Sequence, residues 1–321
     1  MSIKKLTHPE YFQGDKKKDN YFEGWYYKFV SGDEKETIAF IPGVSINSED
    51  QHAFIQVFIS RHHQKDVSLT THYFRFPFES FSYSKESFWI KIGQNYFSNE
   101  RVEIKLRHDD LSITGSISIS EMTPIKRTIL APNIMGIFGY LGFMECYHGI
   151  VSMSHHLKGK LSLNQHDVIF TQGKGYIEKD WGKSFPDAYV WIQSNHFTDK
   201  DTAFMFSYAS IPFIGFHFKG LIANLIYKGK EYRFATYNGS NVKHELIGQG
   251  YVHYKIKKGK FTLDIEAHSS TQIELASPRN GKMIEQIKEG LSGVVSIKLY
   301  EKNQLIYEDD GYHAGIEIMK K

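Results

Sequence analysis

The stretch from Gly173 to Phe197, GKGYIEKDWGKSFPDAYVWIQSNHF, concentrates residue types that strand-forming segments rarely combine. It carries Glu178, Asp180 and Asp187, two of the chain's 4 tryptophans (Trp181 and Trp191), and the polar residues Gln193, Asn195 and His196. On a strand, Tyr176, Glu178 and Asp180 share one face while Trp181 takes the other. A third tryptophan, Trp25, stands beside Glu23 in YFEGWYYKF. An acid among large aromatic rings loses solvation, which raises its pKa and makes it a proton donor near neutral pH. Aromatic faces also stabilise a nearby cation, so the combination suits reactions that pass through a carbocation. The plain alternative is a strand that packs its tryptophans in the core and leaves its acids in water.

Other chemistries are poorly supplied. His155-His156 and His62-His63 are adjacent pairs that point to opposite faces of a strand, so neither pair holds one ion, and no metal is expected. No glycine-rich phosphate loop precedes a helix and no GxSxG elbow occurs, so no nucleotide cofactor and no acyl chemistry are expected. Cys146 lies near His148 without an electropositive surround that would favour a thiolate. It is the only cysteine, which excludes an internal disulfide. No cofactor of any kind is implied.

The elements that must position these residues are strands. Period-two alternation recurs in RVEIKLR (101–107), LSITGSISI (111–119), FTLDIE (261–266) and VVSIKLY (294–300). Turn signals separate such runs at Asp109-Asp110, Lys228-Gly229, Asn238-Gly239, Lys258-Gly259 and Asn280-Gly281. One short stretch, Gly281 to Gly290, reads as a helix. The fold expected is all-β, a sandwich or barrel of antiparallel strands. The pattern weakens from Glu121 to Tyr147, which reads as a connection between a domain over 1–122 and another over 148–321, with 123–147 as the loop. Within it, Ile134 to Met144 is an apolar, glycine-interrupted run that reads as a buried crossover, a lid, or an element touching a membrane. YFEGW at 21–25 is faintly repeated in YIEKDW at 176–181, which suggests duplication.

A chain of 321 residues is long enough to bury two cores without disulfides. Aromatics reach 15%, enough to line an apolar cavity as well as fill β cores. The net charge of +3 is dispersed, and Lys16-Lys17-Lys18 is followed at once by Asp19, so nucleic acid is not an expected partner. The N-terminus has no apolar core of a signal peptide, and no run approaches the ~20 residues of a spanning helix. The cytoplasm is the expected location, with residues 134–144 as the one candidate for peripheral membrane contact.

Three blocks resemble the tocopherol cyclase family: Tyr21–Tyr26 (YFEGWY), Tyr176–Pro186 (YIEKDWGKSFP) and Trp191–Asn195 (WIQSN). The closing AGIEI at 314–318 is similar to that family's ending. The resemblance implies two lipocalin-like antiparallel β-barrel or sandwich halves, a cavity for an apolar molecule, and kinship with carotenoid hydratase-type proteins. It implies an isomerase-type activity in which a phenolic hydroxyl adds across the nearest double bond of an isoprenoid tail. Carried over residue by residue, Glu23, Glu178 and Glu317 are the candidate acids, with Asp180 departing from a family pattern that has Asn there. Trp25, Trp181 and Trp191, with Tyr26 and Tyr176, would wall the ligand, and Gln193 and Asn195 would form its polar end. Two readings follow: a cyclase or hydratase acting on a prenylated quinol or isoprenoid, and a lipocalin-like carrier or sensor of an apolar ligand without catalysis.

Overall fold

The computed structural model describes residues 3–63, 66–108, 110–269 and 271–320. Its strands form two antiparallel sheets, one of twelve strands and one of ten. Asp109 lies outside the described residues, but the other turn signals fall between strands as the sequence predicts. The all-β expectation holds.

Each sheet is rolled. The path of the first starts at Asp66–Pro77, passes Tyr21–Val30, Lys174–Gly182 and Cys146–Leu163 at its centre, and ends at Phe81–Tyr83. The two end strands are consecutive in the chain, joined by the short turn Phe78–Ser80. A link of three residues reaches roughly 11 Å, whereas ten flat strand spacings would need about 48 Å. The sheet therefore curls until its edges approach. In the second sheet the end strands are Lys230–Ala235 and Asn241–Ile247, again consecutive and joined by Thr236–Asn238, with Tyr189–Ser194, Gln304–Met319 and Lys282–Glu301 at the centre.

The central triplets match in register. Glu178 lies between Tyr26 on one neighbour and Ile150 on the other. Glu317 lies between Trp191 and Glu289. Glu178 and Glu317 are thus topological counterparts, as are Lys174–Gly182 and Gln304–Met319. The echo between residues 21–25 and 176–181 joins neighbours in one sheet, not counterparts in two, so it does not mark a duplication of the two sheets.

The chain packs as two compact units. Unit 1 comprises Met1–Asn133, Glu145–Phe185 and Ala276–Gln286; unit 2 comprises Ile134–Met144, Pro186–Leu275 and Ile287–Lys321. The expected division at residue 148 differs, because Cys146–Leu163 and Lys174–Gly182 pair into the first sheet. The helix expected over Gly281 to Gly290 is also corrected: Lys282–Glu301 is a strand. The turn before it is caught within unit 1, where Ser45 donates to the Gly281 carbonyl at 2.6 Å and the Asn47 amide to that of Asn280 at 3.1 Å. Such tertiary hydrogen bonds override a weak local helix preference.

Candidate functional site

Strand Lys174–Gly182 separates two chemistries by alternation. Tyr176, Glu178 and Asp180 face one way, and Ile177, Lys179 and Trp181 the other. Antiparallel pairing sets Tyr26 opposite Glu178 on the first face, and Trp25 opposite Lys179 and Glu23 opposite Trp181 on the second. Cys146–Leu163, on the other flank, sets His148 opposite Asp180.

The first face holds a row of proton-exchanging groups. The Tyr176 hydroxyl donates a short hydrogen bond to Glu178. His148 is held between two carboxylates, with Nδ1 2.9 Å from Asp180 and Nε2 3.4 Å from Glu178. Burial alone would push the imidazole pKa down, but Glu178 and Asp180 outweigh it and lift it to about 9. His148 is therefore an imidazolium at neutral pH. Burial, with the Glu178 carboxylate second, drives the Tyr176 phenol well above its usual range. The sequence makes Glu178 a candidate acid; the structure sets His148, noticed in the sequence only as a neighbour of Cys146, beside it as a second group that can hold a proton. That thiol is pushed far up by burial and is no nucleophile. The only sequence signal for His148 was its place in an alternating run, where it could have been aligned with either flank of the sheet.

The second face is a structural lock. Glu23 accepts from the Gln13 amide at 2.8 and 3.0 Å and from the Tyr21 hydroxyl at 2.5 Å, and it forms an ion pair with Lys179. Lys179 also donates to the Pro9 and Tyr11 carbonyls, each at 2.7 Å, and lies over the rings of Trp25 and Trp181. Trp25 gives its indole proton to the Glu10 carbonyl at 2.7 Å and stacks on Phe88, while Trp181 stacks on Tyr147. Gly149 allows the close approach of this N-terminal segment, since a Cβ there would fall 2.2 Å from Pro9. Glu23, Trp25 and Trp181 thus face away from Tyr176, Glu178 and Asp180. The structure does not bring the Glu23 and Glu178 carboxylates together.

The remaining candidates lie in unit 2. Trp191 is opposite Glu317, and Gln193 is opposite Gly315. The Tyr189 hydroxyl donates to Glu317 at 2.6 Å. Asn195 is buried just beyond the strand. Beside Tyr189 opens a cleft of about 180 Å³, lined also by Tyr208, Tyr254, Ile247 and Met319 and by the charged Lys219, Glu245 and Lys320.

One cluster could take a metal. Donor atoms of His148, Glu178 and Asp180 lie within 4.8 Å of one another, a set that a divalent cation could use once the imidazole has lost its proton.

Residues 130–319 match the family model described as tocopherol cyclase-like. The chain belongs to the tocopherol cyclase-like family. No curated protein is matched by the sequence. Among solved structures the family member resembles a putative AttH of Nitrosomonas europaea, 17% identical over 93% of each chain with a TM-score of 0.51. It also resembles kievitone hydratase of Nectria haematococca, 11% identical over 93% of this chain and 88% of that one, TM-score 0.51. A third likeness is to CghA bound to Sch210972, 8% identical over 93% and 88%, TM-score 0.57. At such identities these likenesses establish the shared lipocalin-like fold. Among the described residues, no helix of this tocopherol cyclase-like chain is long and apolar enough to cross a membrane.

Proposed function

We propose that this protein is an acid–base enzyme that adds an O–H group across a carbon–carbon double bond of a prenylated quinol or isoprenoid, and that Tyr176, Glu178, His148 and Asp180 handle the proton. In ring closure the phenolic oxygen forms a C–O bond at the more substituted alkene carbon. The other alkene carbon gains a proton and the phenol loses one, so the reaction is an isomerisation with no net proton change. In the hydration variant, water replaces the phenol. Either version needs a donor and an acceptor in one place.

The observation that carries the reading is the His148 ring held against both Glu178 and Asp180. His148 stores the proton and passes it through Glu178 to the alkene. Glu178 is the catalytic residue that meets the substrate, and the negative charge left on the pair stabilises the tertiary cation. Asp180 fixes the ring through Nδ1, and Tyr176 fixes the carboxylate. The phenolic proton then returns through Glu178 to His148. Family membership supports the reaction class. The exposed Ile137, Tyr140 and Phe143 of the 134–144 segment are consistent with an apolar ligand drawn from a lipid surface, in a cytoplasmic protein.

The test is incubation with a geranylgeranylated hydroquinone in D2O, followed by mass spectrometry. A chromanol or alcohol carrying one deuterium on the former alkene carbon is expected, and its loss in Glu178→Gln. Ligand retention with no product in the native protein would instead favour the carrier reading.

A further inference from the structure

On strand Phe216–Tyr227, Ala223 and Leu225 belong to the hydrophobic core of unit 2. Asn224 between them therefore faces the opposite side of the sheet. That side is also covered, since Asn224 and its cross-strand neighbour Met205 are both 0% exposed. Among the described residues, neither Oδ1 nor Nδ2 of Asn224 has a hydrogen-bond partner. A buried amide left without partners costs about 1–3 kcal/mol for each orphaned group. Leucine, which has the same branched outline but no polar atoms, would carry no such penalty at this position.

The surroundings indicate what would satisfy it. Directly opposite Asn224 on its other flank is Arg233, whose guanidinium is already paired with Glu231 at 2.5 Å. Along the strand on the same face come Ile222 and Phe218. The 134–144 segment reaches this face: Tyr237, just after the strand residue opposite Ile222, donates to the Ile134 carbonyl at 3.0 Å, and Phe138 stacks on Phe218 at 5.4 Å. Met205, Ile222 and Phe218 make the face apolar around the amide, with Gln193 beyond Met205, Ser207 opposite Ile222, and the Arg233–Glu231 pair as its other polar groups.

We propose that Asn224 is the polar anchor of a ligand site on this face of unit 2, for an apolar molecule that ends in a donor and an acceptor side by side, such as a primary carboxamide. An asparagine amide meets such a group with two parallel hydrogen bonds, Nδ2 donating and Oδ1 accepting. The site does not depend on the proton-transfer role of Glu178, so either can fail without the other.

The probe is decanamide, with N,N-dimethyldecanamide as the control that has the same tail but no donor. Calorimetric titration of the full chain is expected to show decanamide binding roughly tenfold more tightly than the control. Asn224→Leu is expected to erase the difference between the two compounds. Equal affinities in the native protein, no decanamide binding, or a preference that survives Asn224→Leu would each overturn the site.

Discussion

Glu23 and Glu178 lie on opposite faces of one sheet, Glu23 across from Trp181 and Glu178 across from Tyr26. Their substitution should therefore have different consequences. Glu178→Gln keeps the hydrogen bond from Tyr176 but ends proton relay, so turnover should fall by at least about 100-fold, with a drop in Tm set by the share of the His148 pairing that Glu178 supplies. Glu23→Gln leaves Lys179 as a lone buried ammonium and should cost roughly 3–5 kcal/mol of stability. Urea unfolding beside a product assay separates the two. A Glu23→Gln protein of native stability that has lost all turnover would contradict this assignment.

The alternation that sorts these residues was readable in the sequence. Period two placed Tyr176, Glu178 and Asp180 together and Trp181 apart, and it gave the all-β class. What it lacked was partners. His148 meets Glu178 and Asp180 only because residues 32 positions apart pair in one register, and alternation within a strand says nothing about which strand lies beside it. The same gap allowed Glu23, Trp25 and Trp181 to be grouped with Glu178, when in fact they enclose Lys179 on the reverse side. At 281–290 the local pattern was misleading, because the turn residues there are held by Ser45 and Asn47 from more than 200 positions earlier. Asn224, by contrast, carried no signal: a single asparagine in an apolar strand is noticed only once both of its neighbours are seen in the core.

The raised pKa of His148 fixes a pH dependence. Its folded-state value of about 9 exceeds the ordinary histidine value of 6.5. Its contribution to stability is therefore complete below pH 6.5 and is lost as pH rises through about 9. The full loss is on the order of 3 kcal/mol. Turnover should decline over the same upper range, as the imidazolium is the proton store. Chemical denaturation of the native protein and of His148→Gln between neutral and alkaline pH checks this. The variant should lack the alkaline slope, and an identical slope in both would assign it elsewhere.

Lys179 ties the N-terminal segment to the back of the strand that bears Glu178. Burial pulls its pKa down to about 8 although Glu23 opposes the shift. In Lys179→Met the Pro9 and Tyr11 carbonyls lose their donor and Glu23 is left as an unpaired buried anion. Hydrogen exchange should quicken at the Gln13 amide and its neighbours before the rest of the unit responds. Combining Lys179→Met with Glu23→Gln removes the stranded charge. The double variant should then be less destabilised than the sum of the singles, by roughly 1–3 kcal/mol. Simple additivity would mean that the two side chains act independently.

Acid sensitivity should come from His155. Its ring is buried, edge-on to Phe29, with Nδ1 3.2 Å from the Ser152 hydroxyl. Nε2 lies against Gly175, where a Cβ would fall 2.2 Å away. Burial, aided by His156, depresses its pKa from 6.5 to about 3, so it is neutral in the folded chain while the unfolded chain takes up a proton. Between those two values the unfolded state binds more protons, and stability must fall as pH falls. Each pH unit below 6.5 should remove about 1.4 kcal/mol until the folded ring also titrates. In His155→Leu this part of the acid slope should vanish, even if the variant is less stable at neutral pH through imperfect packing. The slope, not the neutral-pH stability, is the diagnostic, because a packing defect shifts the whole curve while a missing titration flattens it. Gly175→Ala should be destabilised at every pH, since the added methyl displaces the same ring without removing its proton equilibrium.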